Sequence, residues 1–183
     1  FDAAETQLKK LLAKEQFRAD AYYHLGEIAK KTDRPELAID RFLRVDRGEL
    51  IIEARKQAGE IAIQQSRPSD SERWFNEARL LYPHLKKELW LGEAQIHTEN
   101  QSTGVAIRIL NEALETMPDT IELLYMRALT FEQLNRIDAA ESDLRMILAQ
   151  NPTDPDALNA LGYTLADRTN RFDEALELIA QAL

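Results

Sequence analysis

Residues 121–152 read IELLYMRALTFEQLNRIDAAESDLRMILAQNP, and this stretch decides the fold. Apolar residues recur at intervals of three and four in two successive segments, which predicts two amphipathic helices. The shared positions are Leu124, Ala128 and Phe131 in the first segment and Ala140, Leu144 and Ile147 in the second. Pro152 follows the second segment, and proline cannot continue a helix. The stretch therefore predicts a pair of helices that ends just before Pro152.

The same pattern recurs along the chain, which indicates a repeat architecture. Repeats begin at residues 19, 52, 87, 121 and 155, so that successive starts are 33, 35, 34 and 34 residues apart. One position of the first helix is always small, as Gly26, Gly59, Ala94, Ala128 and Gly162. One position of the second helix is alanine in four repeats, as Ala38, Ala106, Ala140 and Ala175. We expect the two helices of a repeat to approach closest there, where only a small side chain fits.

This arrangement resembles the tetratricopeptide repeat (TPR), whose signature sets large, small, aromatic, alanine and proline residues at fixed offsets. The resemblance covers the whole chain and implies an all-α fold, a right-handed superhelical solenoid of antiparallel helix pairs. We expect eleven helices and no strand, in one array over residues 1–183. Residues 1–16 would be the second helix of a truncated repeat, and the fifth repeat would be cut short at Leu183. We infer a fragment of a longer array.

The composition limits the classes of partner. The chain has no cysteine, which excludes disulfides and thiolate metal sites, and its net charge is −9. Residues 1–100 carry 17 Lys and Arg against 18 Asp and Glu, whereas residues 101–183 carry 6 against 14. Such an acidic surface repels phosphates, which argues against nucleic acid and anionic membranes as partners. Solubility and the recruitment of a basic partner both explain the charge. No apolar run reaches the roughly 18 residues that span a bilayer, so we expect no direct membrane insertion.

Motifs of catalysis are missing from the sequence. It contains no glycine-rich phosphate loop, no His-Glu-x-x-His zinc helix and no Gly-x-Ser-x-Gly elbow. The three histidines, His24, His84 and His97, lie far apart in the array. His97 replaces an apolar residue at a packing position, so we expect it in the core rather than at a metal. We predict no enzymatic activity, no catalytic residue, no cofactor and no metal site.

The resemblance implies a concave groove lined by positions 2, 5, 9 and 12 of each first helix. The candidate partner-binding residues at these positions are Tyr23, Glu27, Lys56, Glu60, Leu91, Gln95, Glu122, Tyr125, Leu129, Glu132, Asp156, Asn159 and Tyr163. Position 2 is acidic in every repeat, which either attracts a partner or only complements the helix dipole. Because Lys56 is the one basic residue at position 5, the carboxylate clamp of chaperone-binding TPR domains is not expected.

The second half of this groove is aromatic and acidic. It offers Leu91, Tyr125, Leu129 and Tyr163, with carboxylates around them. Exposed tyrosines beside apolar residues are typical of recognition surfaces. Partial packing of these side chains under a neighbouring loop is the alternative interpretation.

The last repeat resembles a narrower group, the TPR lipoproteins of the bacterial envelope. The resemblance rests on Asn151-Pro152, on the stretch LNALGYTLADR at 158–168, and on Ala175, Leu178-Ile179 and Ala182-Leu183. That group includes an adaptor that is anchored in the outer membrane and presents substrates to a C-terminal processing protease. The resemblance implies a periplasmic lipoprotein, anchored through a part of the parent protein outside this segment, whose partners are a protease and its substrates. A cytoplasmic location is the alternative.

We therefore predict a protein–protein interaction scaffold or adaptor that binds a peptide or a partner protein in the groove. The alternative is a structural subunit of a bacterial envelope secretion or export assembly. Apolar faces at both ends, with Leu8 and Leu11 on one and Leu176 and Ile179 on the other, also predict end-to-end self-association.

One packing position carries charge in two adjacent repeats. Glu93 and Arg127 stand where other repeats hold an apolar residue such as Leu25 or Leu161. We expect the two side chains to lie close enough to pair with each other.

Overall fold

The computed structural model describes residues 2–183, and every regular element in that range is helical. The eleven α-helices are α1 Asp2–Leu11, α2 Arg18–Lys31, α3 Pro35–Leu43, α4 Leu50–Gln64, α5 Pro68–Leu81, α6 Lys86–Glu99, α7 Thr103–Thr116, α8 Ile121–Gln133, α9 Ile137–Gln150, α10 Pro155–Arg168 and α11 Phe172–Ala182. Single 3₁₀ turns at Glu15–Phe17 and Pro83–Leu85 precede α2 and α6. The predicted all-α fold of eleven helices without a strand is confirmed for residues 2–183.

Even-numbered helices are the first helices of the repeats, and each of them is followed by the second helix of the same repeat. The first helices begin at residues 18, 50, 86, 121 and 155. One residue separates the ends of α5, α7 and α9 from Pro83, Pro118 and Pro152, because proline cannot continue a helix. The first turn of every first helix carries a carboxylate, namely Asp20, Glu53, Glu88, Glu122 or Asp156.

A shared turn ends four of the five first helices. Asp33, Ser66, Gln101 and Asn135 adopt positive φ angles of 54°, 61°, 59° and 56°. The next residue then donates its backbone N–H to the carbonyl five residues earlier, as Arg34 does to Ala29 at 2.9 Å and Arg136 to Phe131 at 2.9 Å. This left-handed C-cap satisfies carbonyls that the helix end leaves without partners, and it reverses the chain into the second helix.

The chain forms two compact units, an N-terminal unit that ends at Ile96 and a C-terminal unit that begins at His97. Phe42, Phe75 and Leu89 are among the fully buried side chains of the N-terminal unit. Leu144 and Leu161 are among those of the C-terminal unit. His97 is buried, as its packing position predicts.

Small residues allow the two helices of a repeat to pack closely. A Cβ atom added to Gly26 would lie 2.7 Å from the ring of Phe42, which is closer than packed atoms approach. A Cβ atom on Gly162 would lie 2.6 Å from Cγ1 of Ile179 and 3.1 Å from the carbonyl oxygen of Ala175. The predicted close approach is confirmed at these two positions.

A buried ion pair joins α5 to α6 in the N-terminal unit. Arg79 donates to Oε2 of Glu93 at 2.6 Å, and both side chains are buried. The guanidinium of Arg79 also stacks on Trp90, 3.5 Å from the ring centroid, and donates to Asn76. Stacking and a charge-assisted hydrogen bond together offset the desolvation of the two charges.

A second charged cluster lies in the C-terminal unit, centred on Arg127 of α8. Its guanidinium binds the carboxylate of Asp143 through two hydrogen bonds, of 2.8 Å from Nε and 2.6 Å from Nη2. Nη1 donates to Oδ1 of Asn111 at 2.7 Å, so that Arg127 links α7, α8 and α9. Glu93 and Arg127 thus have partners within their own units, and their pairing with each other stays a prediction.

Exposed ion pairs connect the second helices of successive repeats. An arginine precedes α3, α5 and α11, and each one contacts an acid of the preceding second helix. The pairs are Arg34 with Glu5 at 3.0 Å, Arg67 with Glu36 at 2.7 Å and Arg171 with Glu141 at 2.7 Å. Hydrogen bonds from Lys9 and Arg34 lower the pKa of Glu5 to about 2. These pairs lie at the surface, where each contributes little to stability.

Candidate protein-binding faces

The thirteen candidate residues lie on first helices, and none of them is buried. Packing explains this, because the buried side chains of a first helix lie on its opposite side, as Leu124, Ala128 and Phe131 do in α8. We call Tyr23, Glu27, Lys56, Glu60, Leu91 and Gln95 the N-terminal face, on α2, α4 and α6. We call Glu122, Tyr125, Leu129, Glu132, Asp156, Asn159 and Tyr163 the C-terminal face, on α8 and α10. Leu91, which the sequence groups with the later tyrosines, therefore belongs to the N-terminal face.

Two charged residues of the N-terminal face, Glu60 and Lys56, pair with charged residues next to the face. Nζ of Lys30 donates to Oε2 of Glu60 at 2.9 Å and to Oε1 of Gln57 at 2.6 Å. Nζ of Lys56 lies 3.5 Å from Oε2 of Glu53. Since Lys30 belongs to α2 and Glu60 to α4, this network also connects neighbouring repeats.

Tyr23 of the N-terminal face is half-buried. Its ring meets Phe42 edge-on, with 5.6 Å between the ring centroids. Burial raises the pKa of the Tyr23 hydroxyl, and the carboxylates of Glu27 and Glu53 raise it further. Tyr23 therefore packs partly against α3 of its own repeat.

Tyr125 on α8 has a similar environment in the C-terminal face. Burial raises the pKa of its hydroxyl, and the nearby carboxylates of Asp156, Asp154 and Glu132 add to the shift. Asp154 also caps α10, since its Oδ1 accepts the backbone N–H of Ala157 at 3.0 Å. The charges of Glu132 on α8 and of Asp154 and Asp156 at the start of α10 therefore act together on Tyr125.

Tyr163 and Leu129 add apolar surface to the C-terminal face. Tyr163 is 62% exposed, and Leu129 is half-buried. They follow Asn159 and Tyr125 by four residues on their respective helices, so each pair shares one helix face. The face thus combines two tyrosines and a leucine with a row of carboxylates, which suits a partner with both apolar and cationic groups.

Asp154 is the residue of this site that the sequence interpretation missed. It precedes the first residue of α10, so it falls outside positions 2, 5, 9 and 12. The signal was present in Asp154-Pro155, because an aspartate before a proline is a frequent start of a helix. The carboxylate that caps α10 thereby adds its charge to the surface around Tyr125 of the preceding repeat.

The described residues offer neither a metal site nor a membrane span. Within residues 2–183, no three His, Asp or Glu side chains are placed to hold a metal ion. Over the same range, no helix combines the length and the apolar character needed to cross a membrane.

A family model for the tetratricopeptide repeat matches residues 1–49 and 125–183, more than half of the sequence. This chain belongs to the tetratricopeptide-repeat family. The TPR repeat-containing protein PA4667 of Pseudomonas aeruginosa is 33% identical over 162 residues, which are 88% of this TPR chain. The same match covers 28% of that relative, so the chain spans less than a third of its length.

Solved TPR structures share the fold of this chain. A crystal structure of MamA matches with a TM-score of 0.57 and 16% identity, over 92% of this chain and 91% of MamA. MamA from Desulfovibrio magneticus RS-1 gives 0.56 and 13%, over 90% and 92%. YrrB, a TPR protein with an unusual peptide-binding site, gives 0.53 and 19%, over 96% and 90%. At these identities the likeness establishes the helix-repeat fold alone.

Proposed function

We propose that this chain is an interaction scaffold that binds a peptide or a partner protein in the groove lined by its first helices. The main support is the C-terminal face, where Tyr125, Leu129 and Tyr163 present apolar surface outside the core. Aromatic side chains with such partial exposure are typical anchors of protein interfaces. The peptide-binding site of YrrB, which shares the fold, supports the same use of a TPR surface.

A selection from a random peptide library tests this proposal. The purified chain is immobilised, and the selected peptides are synthesised and titrated by calorimetry. We expect peptides that bind with micromolar dissociation constants and compete with one another for one face. If no peptide is selected and only a folded partner domain binds, the chain acts as a structural subunit of an assembly instead.

We also propose a location and a class of partner for the parent protein. The stretch 151–183 resembles envelope TPR lipoproteins, and the likeness to PA4667 supports a bacterial TPR protein longer than this chain. The parent would be anchored in the outer membrane from the periplasmic side. There it would recruit substrates to a C-terminal processing protease.

Fractionation of cells that produce the tagged full-length protein tests this second proposal. We expect the protein in the outer-membrane fraction, and we expect a C-terminal processing protease to copurify with it. Recovery in the cytoplasmic fraction would contradict the envelope proposal, while the peptide selection would still decide the scaffold function.

A further inference from the structure

Net charge separates the two units of this chain. Residues 1–96 carry 17 Lys and Arg against 17 Asp and Glu, whereas residues 97–183 carry 6 against 15. The C-terminal unit therefore holds the entire net charge of −9 and contains no lysine. The C-terminal face carries part of this charge, next to Tyr125 and Tyr163.

In the described part of the chain, two carboxylates of the C-terminal face, Glu132 and Asp156, lack the cations that neutralise carboxylates on the first helices of the N-terminal unit. Glu60 and Glu53 have lysine partners, at 2.9 Å and 3.5 Å. Among residues 2–183, Glu132 and Asp156 form no ion pair, although the C-terminal unit contains six arginines. Their charge is left for an outside partner or for water.

The helix dipole explains the position of Asp156 but not that of Glu132. Asp156 lies in the first turn of α10, where a carboxylate favours the helix dipole. Glu132 lies in the last turn of α8, where the same dipole disfavours a negative charge. Glu132 also forms no ion pair with any residue that the structure describes, so helix stability gives no reason for a negative charge at this position.

We propose that the C-terminal face binds an extended peptide with an Arg or Lys two residues before an apolar residue. The proposal names the partner class of the scaffold function above and rests on it. The cation would stack on Tyr125 and hydrogen-bond to Glu132 and Asp156. The apolar residue would lie on Leu129 and Tyr163. Tyr125 and Leu129 are one helical turn apart, roughly 6 Å, which matches side chains two residues apart in an extended strand.

Two synthetic peptides test this specificity by fluorescence anisotropy. One carries two Arg-Ser-Leu repeats, and the other replaces each arginine with citrulline, which has the same shape without the charge. At about 50 mM salt we expect the arginine peptide to bind at least about tenfold more tightly, and we expect salt near 500 mM to reduce this preference.

Variants of the whole chain locate the effect. Glu132→Gln with Asp156→Asn should weaken binding of the arginine peptide about tenfold and leave the citrulline peptide unchanged. Glu115→Gln with Glu177→Gln removes two exposed carboxylates from the second helices α7 and α11, so its effect should stay within about twofold. Circular dichroism checks that both double variants keep the helical content of the native chain.

Three results would overturn the proposal: no binding of the arginine peptide, equal binding of the two peptides, or equal weakening by both double variants. The library selection separates this failure from failure of the scaffold function. Selected peptides that bind without any basic residue would leave the scaffold in place and remove only the cationic specificity.

Discussion

Ser71 stands where the other second helices carry alanine, and its hydroxyl is fully buried against α4. Within residues 2–183 the Ser71 Oγ has no hydrogen-bond partner, and it lies 2.6 Å from the position of a Cβ on Gly59. A buried hydroxyl without a partner keeps its desolvation penalty, of about 1–3 kcal/mol. Alanine at the same position in four repeats shows that a methyl group fits there.

We therefore expect Ser71→Ala to raise the free energy of unfolding by up to about 1 kcal/mol. Urea denaturation of the two proteins, followed by circular dichroism, measures the difference. Ser69→Ala, at an exposed position of the same helix, is the control and should change stability by less than about 0.5 kcal/mol. A loss of stability on Ser71→Ala would show that the hydroxyl has a partner after all.

Arg127 differs from Ser71, because its removal would leave the buried carboxylate of Asp143 without a partner. The Asp143 side chain is 3% exposed and takes both of its hydrogen bonds from Arg127. We expect Arg127→Met to cost about 3–5 kcal/mol, since breaking a buried pair leaves an uncompensated carboxylate. Arg168→Met removes an exposed arginine of α10 and should cost less than about 0.5 kcal/mol.

The double variant Arg127→Met with Asp143→Leu separates charge from packing. If the stranded carboxylate causes the loss, the second substitution should restore most of the stability in thermal unfolding. A double variant as unstable as Arg127→Met would mean that the hydrogen bond to Asn111 and the packing of the arginine stem matter more.

Helix pairs are the part of this fold that the sequence predicts best. Apolar periodicity, small residues at the contact positions and the prolines after the second helices are all local signals, so they locate every helix from α1 to α11. The partners of Arg79 and Arg127 were not predictable in this way. Each partner lies on another helix, 14 and 16 residues away, and the spacing within one helix does not reveal it.

The turns between helices also have one feature that the sequence predicts and one that it does not. Four residues with positive φ end the first helices, yet Asp33, Ser66, Gln101 and Asn135 share no residue type. Only the asparagine and the aspartate are common in that conformation. The position of the turn follows from the repeat, whereas its left-handed geometry is enforced by the return of the second helix.

A ring of four alternating charges joins α9 to the start of α11. Arg145 and Arg171 each contact both Glu141 and Glu174. Burial acts to raise the pKa of Glu141, but hydrogen bonds from Arg171 and Arg145 outweigh it and lower the value below 4.5. Hydrogen bonds from Arg145 and Arg171 also lower the pKa of Glu174.

These shifts predict a pH-dependent contribution to stability. A carboxyl whose pKa is lowered by folding stabilises the folded state above its unfolded value of 4.5, and the stabilisation is lost as pH falls through the folded value. We expect Glu141→Gln with Glu174→Gln to lower the Tm at pH 7, and the difference should vanish in strong acid. Glu112→Gln removes an exposed i,i+4 pair within α7 and should give a much smaller difference. A gap that persists in acid would contradict an ionic origin.

The two ends of the chain differ in how well their apolar residues are covered. Leu8, Leu11 and Leu12 near the first end are half-buried. On α11, Leu176 is 69% exposed and Phe172 is 59% exposed. The predicted self-association thus has its strongest support at α11.

We expect the apparent mass to rise with protein concentration in light scattering, because apolar helix faces tend to find partners. Leu176→Glu should abolish the rise, whereas Leu80→Glu, at an even more exposed leucine on α5, should not. Monomeric behaviour of the native chain up to millimolar concentration would contradict the prediction.

The candidate binding surface was only partly predictable. Helical spacing identified which residues of α8 and α10 lie outside the core, and all thirteen candidates are at least partly exposed. Spacing did not reveal that Lys30 and Glu60 neutralise each other, or that Asp154 lies beside Tyr125. Such contacts depend on neighbouring repeats, which a single helical pattern does not describe.

The most direct test of the scaffold function is the affinity of the selected peptides for a chain with an altered C-terminal face. Tyr125→Ala with Tyr163→Ala should weaken binding at least about tenfold, since truncating an aromatic anchor typically costs about 2 kcal/mol or more. Met146→Ala with Phe172→Ala, exposed apolar residues of α9 and α11, is the matched control and should leave affinity unchanged. Calorimetric titration that finds equal affinity for the native and doubly altered faces, with helical content retained, would place the binding site elsewhere on the chain.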